Sequence, residues 1–165
     1  MNVAELTSKL SYATRLKVGA VIVKGNKILG TGYNGMPSGW DNVCENREWM
    51  DQEIGGWKSP EEIQEMYPFE EFKEKQPVGR YRLVTKPEVL HAETNAIAKV
   101  SSSTESSEGA IMFCTHAPCI QCAKLIYQSG IKKLYYKNTY RDVAGLEFLK
   151  KSGVEVVHYN IQVQD

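Results

Sequence analysis

Residues 110–159 read AIMFCTHAPCIQCAKLIYQSGIKKLYYKNTYRDVAGLEFLKKSGVEVVHY, and the alternation within this stretch decides the fold. Ala110 to Thr115 is a short apolar strand, and Cys119 to Ser129 has helical spacing closed by Gly130. Ile131 to Tyr136 is a second strand, Val143 to Lys151 a helix ending at Gly153, and Val154 to Tyr159 a third strand. Strands that alternate with helices imply parallel neighbours joined by crossovers, because a helix is the usual way to return the chain to the same edge.

Upstream, HAETNAIAKV (91–100) is a helix with Ala92, Ala96 and Val100 on its inner side, flanked by Ile97 and Ala98. The polar run SSSTESSEG (101–109) links it to the first of those strands. Lys17 to Val23 and Lys27 to Tyr33 read as an antiparallel hairpin turning at Gly25-Asn26. A dense cluster of turn formers, NGMPSG (34–39), marks a loop, and Val3, Leu6 and Leu10 give the opening segment helical spacing. The expected fold is therefore α/β, a mixed five-stranded sheet with helices on both faces.

Between these parts lies an irregular segment, about 41–86, containing Trp49, Trp57, Tyr67, Phe69 and Phe72, with Trp40 just before it. Its aromatics predict an ordered insertion in a single domain spanning 1–165. Lys plus Arg and Asp plus Glu each number 20, so net charge is zero. That argues against a long nucleic acid as main partner, since phosphate neutralisation dominates such binding. Within 41–76 there are eleven acidic and four basic side chains, which leaves the rest of the chain cationic by seven charges. A cationic body suits a small anionic ligand; a solvated acidic insertion accounts for the same numbers. The N-terminus lacks the continuous apolar core of a signal peptide, and no apolar run is long enough to span a membrane. The expected setting is the cytoplasm, or the host cytoplasm for a phage-encoded chain.

Two short motifs carry the chemistry. His91-Ala92-Glu93 is H-x-E, and Pro118-Cys119-Ile120-Gln121-Cys122 is P-C-x-x-C. One imidazole and two thiolates make three ligands for a tetrahedral zinc, leaving the fourth corner for a water that the metal brings close to ionisation. Glu93 is the candidate proton carrier. Pro118 suits a helix start, where a missing N–H costs nothing. Cys119 and Cys122 are then on one face of the first turn, at the positive end of the helix dipole. The competing reading is a closed structural site with Cys114 as fourth ligand. Such a site requires neither Glu93 nor the H-x-E spacing, and Cys114 falls inside an apolar strand. H-x-E followed by P-C-x-x-C is the signature of the zinc deaminases.

The chain further resembles the deoxycytidylate (dCMP) deaminases of phage and bacterial type, in the cytidine deaminase superfamily. The resemblance rests on TRLKVGAVIV (14–23), GTGYNGMPSGW (30–40), HAETNAI (91–97), THAPCIQCAKLIYQSGIKKLYY (115–136) and TYRD (139–142). It covers nearly all residues outside 45–86. It implies a three-layer α-β-α sandwich and hydrolysis of dCMP to dUMP, which feeds thymidylate synthesis. It also implies a homohexamer activated by dCTP and inhibited by dTTP, with Mg2+ accompanying the nucleotide triphosphate. Asn34 would contact the sugar, Ala92 would offer main chain to the pyrimidine edge, and Thr115, His116 and Ala117 would line the base. Ser11, Arg15 and Tyr140 are the candidates for the 5′-phosphate. Gly32, Tyr33, Asn34 and Gly35, with Asp41 and Asn42, are those for the effector.

Plainer readings stand beside these. Asn34-Gly35 could be a turn requiring positive φ, Arg15 a solvated cation, and Tyr140 a packing residue. Some phage members carry a second, structural zinc in the central region. Residues 45–86 contain neither Cys nor His, which predicts one zinc per chain. A nucleoside cytidine deaminase and a tRNA or nucleic-acid editing deaminase are the alternative enzymes, and a catalytically dead nucleotide sensor is the alternative of another class.

Overall fold

The computed structural model describes residues 1–51, 58–140 and 142–160; Trp57 of the insertion and Arg141 of TYRD lie outside them. Among the described residues the main sheet has five strands, β1 (Gly19–Lys24), β2 (Lys27–Tyr33), β6 (Ile111–His116), β7 (Lys133–Asn138) and β8 (Glu155–His158), in the order β2-β1-β6-β7-β8. β1 and β2 form the expected hairpin, with Gly25 at φ 57° in its turn. β1 also pairs antiparallel with β6. Parallel pairing then carries the sheet through β7 to β8.

Glycines at two sheet positions establish that helices cover both faces. A Cβ on Gly19 would lie 2.0 Å from the carbonyl oxygen of Ala4 in α1 (Asn2–Ser8). A Cβ on Gly32 would lie 2.1 Å from that of Ala92 in α3 (Ala92–Ser101). Gly32 pairs with Ala20, the residue after Gly19, and neighbours along a strand point to opposite faces. So α1 and α3 sit on opposite sides of the hairpin, and the α-β-α layering holds. On the α3 side Ala20, Ile22, Met112, Cys114 and Leu134 are buried with Ala96, Val100, Ile126 and Leu149 in one core. Ile126 belongs to α4 (Ile120–Gln128) and Leu149 to α5 (Ala144–Lys151), the helices of the β6-α4-β7 and β7-α5-β8 crossovers.

The opening helix turns the other way from the apolar spacing. It buries Ala4 and Thr7, whereas Val3, Leu6 and Leu10 are 43, 61 and 59% exposed. The close approach at Gly19 leaves room only for a small residue beneath the helix, so Ala4 takes the inner position and the larger side chains face outward.

The insertion has its own regular structure. β3 (Glu45–Trp49), α2 (Pro60–Met66), β4 (Phe69–Lys73) and β5 (Gln76–Thr85) include a three-stranded antiparallel sheet, order β3-β5-β4. Its charges are matched across strands: Glu48 opposite Arg82 at 2.5 Å, Glu70 opposite Arg80 at 2.9 Å, and Arg47 reaching Glu71 at 2.7 Å. Trp49, Tyr81 and Phe69 pack ring to ring beside them. The acidic excess is thus partly neutralised within the sheet. Glu45 ties this sheet to the body, its carboxylate accepting from the main-chain N–H groups of Thr14 (3.0 Å) and Arg15 (3.1 Å). No helix among the described residues is long and apolar enough to cross a membrane.

Candidate active site

The carboxyl end of β6 and the starts of α3 and α4 converge on one point. His91 is the N-cap residue of α3, with extended backbone (φ −77°, ψ 153°), and Glu93 lies in the first turn. Cys119 is the N-cap of α4 (φ −68°, ψ 167°), and Cys122 lies one turn inside it. Pro118 therefore stands one residue ahead of the cap and not at the first helical position, and it is fully buried. Its fixed φ holds the chain extended just where Cys119 must leave the sheet.

The three candidate ligand atoms lie within 4.8 Å of one another. His91 Nδ1 is 3.7 Å from Cys119 Sγ and 3.3 Å from Cys122 Sγ. Zn–N and Zn–S bonds of ordinary length at a tetrahedral angle place N and S about 3.6 Å apart, so this donor set fits zinc as it stands. Cys114 is fully buried in the sheet and is not part of the group, which leaves one tetrahedral corner without a protein ligand from it.

Electrostatics distinguish the two sulfurs. Hydrogen bonds to Cys122 and then to His91 draw the Cys119 thiol down to about 3, making it the thiolate of the pair. Cys122 holds the proton of that bond and is pushed up by it and by burial. The partnership with Cys119 raises His91, against the opposing effect of burial. Glu93, only 4% exposed, is raised by desolvation, which the neighbouring imidazole only partly offsets. A carboxylic acid that is buried, poised upward and beside three metal donors can take a proton and give it back.

Around this centre the structure joins several of the other candidates. Asn34 accepts from Val18 N–H at 2.8 Å and donates to the Leu16 carbonyl at 2.8 Å, and its own carbonyl accepts from Ser11 Oγ at 2.7 Å. Thr115 Oγ1 accepts from Gly19 N–H at 3.0 Å and lies 3.1 Å from His116 Nδ1. Burial lowers the His116 imidazole, which is half-buried beside the site. Ala117 is buried, its N–H bonded to the Asn138 carbonyl, while Asn138 Nδ2 donates to the Thr115 carbonyl. Ala92 is buried between the two residues of the H-x-E motif.

Others are placed apart or differently. The Arg15 guanidinium donates to Thr85 Oγ1 on β5, so it lies at the junction with the second sheet. Tyr140 is exposed. Gly35 is not a left-handed turn; it exchanges main-chain hydrogen bonds with Leu90 (3.1 and 2.9 Å), and neither it nor Asn34 has positive φ. Gly32 is required for the close approach to α3, and Tyr33 lies beneath the Lys99 ammonium. Asp41 pairs with Lys86 at 3.7 Å, and Asn42 accepts from the Cys44 thiol through its carbonyl. Sequence reasoning had no signal for Asn138 or for Gly145, which abuts the Pro118–Cys119 peptide, because both act on main chain more than 20 residues away.

The profile of the cytidine and deoxycytidylate deaminase zinc-binding region matches residues 1–138. The deoxycytidylate deaminase of Enterobacteria phage T4 is 37% identical, over 94% of this chain and 86% of its own length. The human deoxycytidylate deaminase is 34% identical, over 86% of this chain and 65% of its own. The dCMP deaminase of cyanophage S-TIM5, solved in complex with dCMP and dUMP, is 38% identical with a TM-score of 0.70, covering 96% of this chain and 92% of that one. With its H-x-E and P-C-x-x-C residues gathered at two helix starts on a five-stranded mixed sheet, the chain belongs to the cytidine and deoxycytidylate deaminase family of zinc-binding enzymes.

Proposed function

We propose that this enzyme hydrolyses dCMP to dUMP and ammonia, supplying dUMP for thymidylate synthesis, with His91, Cys119 and Cys122 holding one zinc and Glu93 moving the protons. The observation that carries the chemistry is the burial of Glu93 against the three donors. When bound, zinc supplies a water close to ionisation at neutral pH. Glu93 takes a proton from that water and delivers it to ring N3. As that proton reaches N3 the water oxygen bonds to C4; Glu93 then carries the proton of the new C4 hydroxyl to the exocyclic amine, and the C4–N bond breaks as the carbonyl forms and ammonia leaves. Its raised affinity for protons suits both directions of transfer. Ala92, Thr115, His116 and Ala117 line the base, and Asn34 contacts the sugar. The Asn34 amide has hydrogen-bonding capacity left for this, since each of its two ends has one partner in the protein and could take a second. Ser11, Arg15 and Tyr140 serve the 5′-phosphate.

The substrate reading is supported by relatives of 37 and 38% identity that span almost the whole chain. We propose further, as the resemblance of the sequence implies, a cytoplasmic enzyme activated by dCTP with Mg2+, inhibited by dTTP and assembled as a homohexamer. For the effector, support comes from an open cavity of about 530 Å³ beside the Gly32–Asn42 loop, lined by Trp40, Asp41, Lys86 and Glu88 among others. Lys86 offers charge to a triphosphate, and the two carboxylates offer oxygens to Mg2+. For the oligomer, support comes from the outward apolar stripe Val3, Leu6, Leu10 and Tyr12.

Ammonia release from dCMP, CMP, deoxycytidine and dCTP tests the substrate, repeated with dCTP or dTTP and Mg2+. Preference for dCMP with sigmoidal saturation, made hyperbolic by dCTP, is expected. Equal turnover of deoxycytidine would make the enzyme a nucleoside deaminase. Light scattering of Leu6→Glu, expected to give smaller particles, tests the assembly.

A further inference from the structure

Each of the two helix starts that carry the metal donors is seated by a glycine from another element. Gly32 of β2 does this for α3, its missing Cβ leaving room for Ala92 O at 2.1 Å and Ala96 N at 2.5 Å. Gly145, the second residue of α5, does it for α4. A Cβ there would stand 2.1 Å from the carbonyl oxygen of Pro118, 2.9 Å from Cys119 C and 3.0 Å from Cys119 O. All three are main-chain atoms, so no change of rotamer makes space. Gly145 does not have positive φ, so glycine is needed here for room and not for backbone conformation. Glycine within a helix weakens it relative to alanine, which makes its use in this first turn informative.

Relief of such a clash requires a displacement of about 1 Å. The helix cannot readily retreat, because Leu146 and Leu149 anchor it in the core. The Pro118–Cys119 peptide is held less directly, through its neighbours Thr115 and Ala117, which the two Asn138 hydrogen bonds tie to β7. A zinc–sulfur bond tolerates about 0.2 Å. A shift of the N-cap residue by several times that amount takes its sulfur out of reach of a shared tetrahedron.

We propose that Gly145 is a positioning residue for Cys119: by packing α5 backbone to backbone on the Pro118–Cys119 peptide, it sets where this ligand sits relative to His91 and Cys122. The inference rests on the reading of those three residues as the zinc ligands.

Zinc release from the holoenzyme to a chromophoric chelator tests it, alongside the Co(II)-substituted absorption spectrum. Gly145→Ala should release zinc at least about tenfold faster, as residues that orient metal ligands do, and should weaken the tetrahedral Co(II) bands. Leu149→Ala removes core packing from the same helix without touching Cys119, and Gly79→Ala adds a methyl group in the second sheet; both should release zinc within about threefold of the parent rate. Equal release by Gly145→Ala and the parent, or equal acceleration by Leu149→Ala, overturns the proposal. Should Gly145→Ala fail to fold, hydrogen exchange of the parent decides. On zinc removal the Glu147 amide, bonded to the Val143 carbonyl at 3.0 Å in the first turn of α5, should exchange at least about tenfold faster while α1 stays unchanged. No change there overturns the proposal as well. A parent protein that takes up no zinc would instead defeat the ligand assignment, which is a separate result.

Discussion

Asn34 and Thr115 accept hydrogen bonds from consecutive main-chain donors, Val18 N–H at 2.8 Å and Gly19 N–H at 3.0 Å. Asn34 directly follows β2 and Thr115 lies near the end of β6, so these two side chains clamp the entry of β1 from both neighbouring strands. The clamp lies where the substrate base and sugar are placed in the proposed function, which joins fold and site in one network.

Asn34→Ala is expected to break this clamp. It leaves Val18 N–H and the Leu16 carbonyl without their partners, a loss of about 1–3 kcal/mol in urea unfolding. KM for dCMP should rise as well, because the same amide is assigned to the sugar. An Asn34→Ala enzyme with parental stability would show that these bonds carry no net weight.

Glu93→Gln separates metal binding from proton transfer. The amide keeps the shape of the side chain and removes a buried charge, so zinc content by metal analysis should equal that of the parent. The rate constant kcat should fall by at least about a hundredfold, the usual contribution of a positioned acid–base group. Full activity in this variant would remove Glu93 from the mechanism.

The alternation of 110–159 was legible because each strand is a short apolar run and each following helix stops at a glycine. Gly130 and Gly153 do adopt positive φ, 76° and 80°, as such helix ends require. The metal donors were legible for another reason: zinc demands particular atoms at short spacings, and a packing role alone requires neither motif. The second sheet was not legible. In ENREW and FEEFK charged residues occupy positions on both faces, Glu48 and Glu70 paired with arginines on β5 and Arg47 with Glu71 between the two segments themselves, so alternation of polarity is lost. Nor was the orientation of α1, because Val3, Leu6 and Leu10 form a good apolar face, and the contact that turns it outward depends on a glycine 15 residues beyond Ala4.

His116 gives a stability that depends on pH. Burial lowers its affinity for protons in the folded chain, so in the window below the ordinary histidine value of about 6.5 the unfolded chain binds more protons. Stability from this residue is therefore complete above that value and is lost as pH falls toward the lowered one. Unfolding of the parent and of His116→Gln should be measured at about pH 7.5, 6.5 and 5.5, which brackets the ordinary value. The parent should lose more stability than the variant across that range. Parallel curves would mean that His116 titrates freely.

Removal of zinc should expose one reactive cysteine before the others. With the metal gone, Cys119 is drawn down to about 3 by its bonds to Cys122 and His91, and it is only partly covered. It is then a thiolate throughout the range from about pH 5 to 8, so its alkylation by iodoacetamide should vary little with pH. An ordinary thiol would slow about tenfold for each unit below its pKa. Cys122 is pushed the other way, and burial pushes Cys44 and Cys114 up while enclosing them. Peptide mass mapping after chelation should therefore find Cys119 labelled first, and zinc added before the reagent should protect it. Labelling that begins at Cys114 or Cys44 would mean that the metal-free chain opens its core, and that zinc holds the fold together as well as the reaction centre.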